Sequence, residues 1–218
     1  MKPRHAAALV LVIAPLLAPP SFAQSDTKTF TAPDGSFSFR YWTGLVQCKP
    51  PKDGGEVWEP HDVCSAYNPV CDQEIVGSAG DSPWNELHAV ACFAYPKNEF
   101  TNTPVFEAAT FSVEVLGINK TVKSCLTPDN AGLQHTGTTT INGIVFTTFD
   151  FYSTGMNQGI AGTVYRSFHK GKCYQLGTNQ ATANKEIFDP SVRDFTDRDS
   201  DQVGTKLDQP LKSFRFLK

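Results

Sequence analysis

The sequence predicts an α+β fold: an antiparallel β-sheet flanked by helices, with a disulfide-rich loop insertion. Three observations predict it. Apolar and polar residues alternate in several runs, as in Phe37, Phe39 and Tyr41 against Ser38, Arg40 and Trp42. Asn142-Gly143 sits between two strand-like runs, the strongest short-range hairpin signal. Near the C-terminus, Val203, Leu207 and Leu211 recur every four residues, one face of a helix.

The elements follow in chain order. Thr29 to Thr31 reads as a short strand, and Pro33-Asp34-Gly35 as a turn, with Pro where its fixed φ helps and Gly where φ is positive. Ser36 to Trp42 is a half-buried strand. Residues 49 to 86 are rich in Pro, Gly and acids and show little periodicity, which reads as a long insertion pinned by disulfides. Leu87 to Tyr95, ending at Pro96, suits a buried strand, and Phe111 to Leu116 a second. Asn119 to Leu126 reads as a short helix stopped before Pro128. Thr138 to Ile141 and Ile144 to Phe151 flank the Asn-Gly turn. Ile160 to Phe168 and Cys173 to Gly177 follow across Lys170-Gly171, completing an antiparallel meander. Asp194, Asp197, Asp199 and Asp201 precede the helical face, where a helix N-terminus favours negative charge. Phe214 and Phe216 alternate with Ser213 and Arg215, a closing strand docked on the sheet.

At 218 residues the chain suits one domain, expected over 24–218. With 19 Lys+Arg against 22 Asp+Glu and no basic run, the electrostatic footprint of a nucleic-acid binder is missing. Residues 1 to 23 read as a secretory signal peptide: Lys2 and Arg4 precede a short apolar run, and Ser21-Phe22-Ala23 offers a cleavage site before Gln24. Cleavage removes two cations and no acid, taking the formal net charge from −3 to −5. The expected location is secreted or periplasmic, with no membrane span after cleavage.

All six cysteines, Cys48, Cys64, Cys71, Cys92, Cys125 and Cys173, fall in the mature part, and an even number in an oxidising space reads as three disulfides. Cys64–Cys71 is the first pair expected, since it would staple one short loop. The rival is a zinc site using His61, Cys64 and Cys71, but no compact two-plus-two ligand pattern is present.

A Pro-Asp-Gly turn feeding an aromatic strand (Ala32 to Tyr41), a long hairpin meander after Asn142-Gly143, and a closing helix leading into Leu211-Lys212-Ser213-Phe214-Arg215-Phe216 together resemble the PsbP-like fold group, which includes exported bacterial members of uncharacterised role. The resemblance spans roughly 30–41 and 138–217. It implies a sheet sandwiched by helices and an accessory or binding role without catalysis. The cysteine-bearing insertion departs from the common pattern, and no functional residue carries over.

Candidate chemistry is sparse. There is no G-x-S-x-G elbow. His169 lies four residues before Cys173 and could serve a thiol-dependent or hydrolytic site, but a bridged Cys173 has no thiolate to offer. Glu86 and His88 would share a strand face as an acid/base pair. Asp197, Asp199, Asp201 and Asp208 fall at positions 1, 3, 5 and 12 of a calcium-type loop, yet Gln202 occupies the position that needs Gly. No cofactor motif is present. The reading that follows is an exported, non-enzymatic domain that binds a partner protein or an envelope component through the insertion or the sheet face. The alternatives are a His-centred enzyme and a calcium-dependent binder.

Overall fold

The computed structural model describes residues 26–50, 59–64, 71, 88–116, 121–127, 132–155 and 157–218. The signal-peptide reading and most of the 49–86 insertion lie outside these residues.

The chain forms β1 (Thr27–Thr31), β2 (Phe37–Trp42), β3 (Val46–Cys48), the single turn α1 (His61–Cys64), β4 (His88–Ala94) and β5 (Phe106–Leu116). It continues with α2 (Val122–Leu126), β6 (Leu133–Ile141), β7 (Ile144–Gly155), β8 (Gln158–His169), β9 (Lys172–Ala183), α3 (Asp197–Ser213) and β10 (Arg215–Phe216). Two sheets result. A seven-stranded sheet runs β3-β4-β5-β9-β8-β7-β6, and a three-stranded sheet runs β1-β2-β10. All described pairings are antiparallel.

Two hairpins are set by local chemistry. Asn142 and Gly143 have φ of 48° and 79°, and Lys170 and Gly171 have 48° and 78°, the paired positive values of a two-residue turn whose twist matches its strands. Asn142 also donates from Nδ2 to the carbonyls of Lys212 and Phe214, each at 2.9 Å, tying the β6–β7 turn to the end of α3. The Pro33-Asp34-Gly35 turn forms as expected. Gly35 has φ of 69°, and the Asp34 carboxylate accepts from the Ser36 amide at 3.0 Å.

α3 starts at a reciprocal cap between Thr196 and Asp199 and buries Val203, Leu207 and Leu211, the residues its spacing singled out. It shares one face of the large sheet with β1-β2-β10. From β2, Phe39 meets Phe93 and Phe111 and Phe37 meets Tyr174 of the large sheet, and Phe214 closes over Phe37 and Phe146. Each such ring taken fully out of water contributes about 2 kcal/mol.

Three expectations are corrected. The sheet is flanked by helices only in part: α3 is the one helix longer than five residues among those described, the short α2 packs against β8, and much of the face beside α3 is covered by a second sheet, because the aromatic strand β2 pairs with β1 and β10. The closing strand joins that smaller sheet and not the meander. The strands of the meander also run further than their periodicity suggested, with β9 continuing to Ala183 through polar residues that pair with both neighbours.

Candidate functional site

Beyond the part covered by β2, the inner face of β7, β8 and β9 lies open beside α3. Strand register sets two rows across it. Asp150 pairs with Thr163 and Thr163 with Thr178, while Tyr152 pairs with Ala161 and Ala161 with Gln180. Side chains of directly opposed residues point to the same face, so each row presents its groups together.

A groove of about 430 Å³ follows the first row and is walled by α3 through Ser200, Gly204 and Asp208. Inside it, Thr163 donates to Asp150 Oδ1 at 2.7 Å. Gln180 and Ser200 clasp each other: the Ser200 hydroxyl donates to Oε1 at 3.0 Å, and Gln180 Nε2 donates to the Ser200 carbonyl at 3.3 Å. Asp208 pairs with Lys212 one turn on, at 2.6 Å, both exposed. Burial, and then the charges of Asp208 and Asp150, push the Tyr165 phenol above its usual value. At the open end Tyr152 is 70% exposed and borders a second hollow of about 460 Å³ with Gln158, Thr182 and Asn184. An exposed aromatic with amide, hydroxyl and carboxylate groups on a rigid sheet suits recognition, since such a ring loses little freedom on contact.

The opposite face of the sheet holds a buried polar chain beside the apolar cluster of Leu133, Phe149, Phe151 and Val164. Ser112 donates to Glu114 Oε1 at 3.1 Å, Gln175 Nε2 donates to Glu114 Oε2 at 2.8 Å, and Arg166 Nε donates to Gln175 Oε1 at 2.8 Å. All four residues are buried, an amide bridging a carboxylate on β5 and a guanidinium on β8.

The residues singled out from sequence are mostly dispersed. His169 lies flat on Phe216, and its Nε2 is buried without a hydrogen-bond partner. Cys173 is bonded to Cys125, so no thiol stands beside His169. Glu86 lies outside the described residues, and His88 is placed at the start of β4. Asp197, Asp199, Asp201 and Asp208 all belong to α3. The Asp199 carboxylate is committed to Thr196, and both its oxygens accept from Arg193 Nη2, at 2.7 and 2.8 Å.

The disulfides are Cys48–Cys64, Cys71–Cys92 and Cys125–Cys173, and no cysteine is free. Cys64 therefore pairs with Cys48 and not with Cys71. The reason is long-range: β3 pairs with β4 so that Cys48 faces Cys92, and each of these takes one partner from the insertion.

Sequence reading missed the open face. Its signal was the alternation Asp150, Tyr152, Thr154 in β7, which places polar and aromatic groups on the side where a core strand would carry aliphatics. No helix among the described residues is long and apolar enough to cross a membrane.

No protein-family model and no curated protein matches the chain. Among solved structures it is similar to cyanobacterial PsbP (CyanoP) from Synechocystis sp. PCC 6803, at 12% identity and a TM-score of 0.41, over 94% of this chain and 100% of that one. It is also similar to LpqN of Mycobacterium tuberculosis, described as involved in cell envelope biogenesis, at 9% identity and a TM-score of 0.40, over 88% of this chain and 91% of that one.

Proposed function

We propose that this is an exported, non-enzymatic domain that binds a partner protein or an envelope component through the open face of β7–β9 beside α3. The observation that carries the reading is Tyr152, 70% exposed in the interior of a long strand. Around it stand Gln158, Thr182 and Asn184, and the Asp150–Thr163 row continues the surface toward α3. An exposed aromatic on a rigid sheet supplies contact area at little conformational cost. Export is supported by the cysteines, all six of which are bridged, as suits an oxidising compartment.

The test is a photo-crosslinking residue in place of Tyr152 in cells that make the full chain, with the same residue in place of Val122 on α2 as the control. Val122 is 53% exposed. A discrete adduct from position 152, absent from position 122, with the protein recovered outside the cytoplasm, is the expected result. Equal labelling from both positions, or none from 152, refutes this face as the recognition surface.

A further inference from the structure

The sulfur atoms of Cys48, Cys71 and Cys92 all lie within 4.8 Å of one another, although they belong to two different disulfides. Cys64, bonded to Cys48, completes a four-sulfur cluster. It forms a buried cluster with Ala94, and Val46, Val63 and Ala89 pack against it, apart from the aromatic core. Cys48 and Cys92 are also direct partners in the β3–β4 register. Opposed residues of an antiparallel pair have Cα atoms about 4.5–5.5 Å apart, inside the range of about 4.4–6.8 Å that a disulfide spans. A Cys48–Cys92 bond therefore needs no movement of the sheet.

We propose that the two bridges form one thiol–disulfide interchange centre with a second stable connectivity, Cys48–Cys92 with Cys64–Cys71. A monothiol in its thiolate form starts the exchange. It attacks Cys71 Sγ, breaking the Cys71–Cys92 bond, and leaves a mixed disulfide on Cys71 and a thiolate on Cys92. The Cys92 thiolate attacks the adjacent Cys48 Sγ, forming Cys48–Cys92 and expelling Cys64 as thiolate. Cys64 attacks Cys71 Sγ, forming Cys64–Cys71 and returning the monothiol. Two disulfides enter and two leave, so no oxidant or reductant is consumed, and each step is the ordinary displacement at sulfur.

The exchange changes how the segment between β3 and β4 is held. In the present connectivity Cys48–Cys64 and Cys71–Cys92, with sequence separations of 16 and 21, fasten it to the two strands independently. In the other, one bond joins β3 to β4 directly and a second joins Cys64 to Cys71, so that neither strand is bonded to the segment. Cys125–Cys173 packs with Leu116 in a separate cluster and takes no part. The inference is independent of the open face around Tyr152.

The experiment incubates the folded full chain with substoichiometric reduced glutathione at mildly alkaline pH, quenches with acid, and maps disulfide-linked peptides after cleavage following aromatic residues. Tyr67 and Trp84 separate Cys64, Cys71 and Cys92. The expected result is both new linkages appearing together, with Cys125–Cys173 intact and no gain in free thiol. Persistence of the original linkages alone overturns the proposal. So does scrambling that draws in Cys125 or Cys173, which would mark unfolding. A second arm uses the C64S/C71S double variant: Cys48 and Cys92 should become bonded and resist alkylation, and their quantitative alkylation in a folded variant overturns the proposal by itself.

Discussion

The imidazole of His169 lies on the ring of Phe216 with 3.9 Å between centroids and 4° between planes, which fastens the C-terminal strand β10 to the end of β8. A residue that sequence spacing offered as a base is here a stacking surface. Burial, and then the charge of Lys170, hold its pKa below the usual value. The folded protein thus binds its proton less readily than the unfolded chain, whose imidazole titrates near about 6.5. Stability from this group is fully present above that pH and is lost as pH falls through the lower folded value. We expect urea unfolding to show a drop in stability between pH 7.5 and pH 5.5 that is smaller in H169F, which keeps the stack and removes the proton. Equal drops in the two proteins would show that the acid sensitivity lies elsewhere.

Asp199 joins the start of α3 to the segment before it. Burial works against its charge, but the Thr196 amide and hydroxyl and the Arg193 guanidinium outweigh that, bringing its pKa to about 2. A carboxylate so lowered stabilises the fold above its ordinary range, and that contribution disappears as pH falls toward about 2. Asp199→Asn keeps the shape and loses the charge, and should cost about 2 kcal/mol at neutral pH. Measured at pH 2 the variant and the parent should converge; a gap that persists there would assign the loss to packing.

On the sheet face opposite α3, Gln175 is the amide between Arg166 and Glu114. Gln175→Leu preserves volume but removes a donor to the carboxylate and an acceptor for the guanidinium in a buried setting. A loss of about 2–4 kcal/mol is expected, the cost of stripping a partner from buried polar groups. Chemical denaturation of the variant measures it, and a loss under about 0.5 kcal/mol would mean that other contacts satisfy both charges.

Whereas the turn glycines Gly35, Gly143 and Gly171 have positive φ and open surroundings, Gly162 is required by lack of space. A methyl there would run into the Thr178 carbonyl and approach the Phe151 ring to 2.7 Å, and a backbone oxygen in mid-sheet cannot withdraw. Gly162→Ala should destabilise by about 1–3 kcal/mol, the range of overpacking. Gly155→Ala, whose Cβ would meet nothing within 4 Å, serves as the matched control. Thermal melts that shift alike for both would argue that chain entropy and not the clash sets the cost.

Much of the architecture was legible because it is written locally. Alternation in Phe37 to Trp42, the Asn142-Gly143 and Lys170-Gly171 turns, and the four-residue spacing of Val203, Leu207 and Leu211 each specify backbone geometry within a few residues. The candidate site was less legible. Tyr152, Asp150, Thr163 and Gln180 come from three strands and mean nothing as a group until register aligns them.

By itself the sequence determined most strands and the long helix α3, the two-residue hairpin turns, and that six cysteines in one chain would pair. Tertiary structure alone decided which cysteines bond, that β2 builds a second sheet with β1 and β10, and which face of β7–β9 stays open. The physical reason is that these outcomes depend on contacts between residues far apart in the chain. Cys48 meets Cys92, and Phe37 meets Phe216, only after β3–β4 and β2–β10 have chosen one register, and local propensity carries no record of that choice.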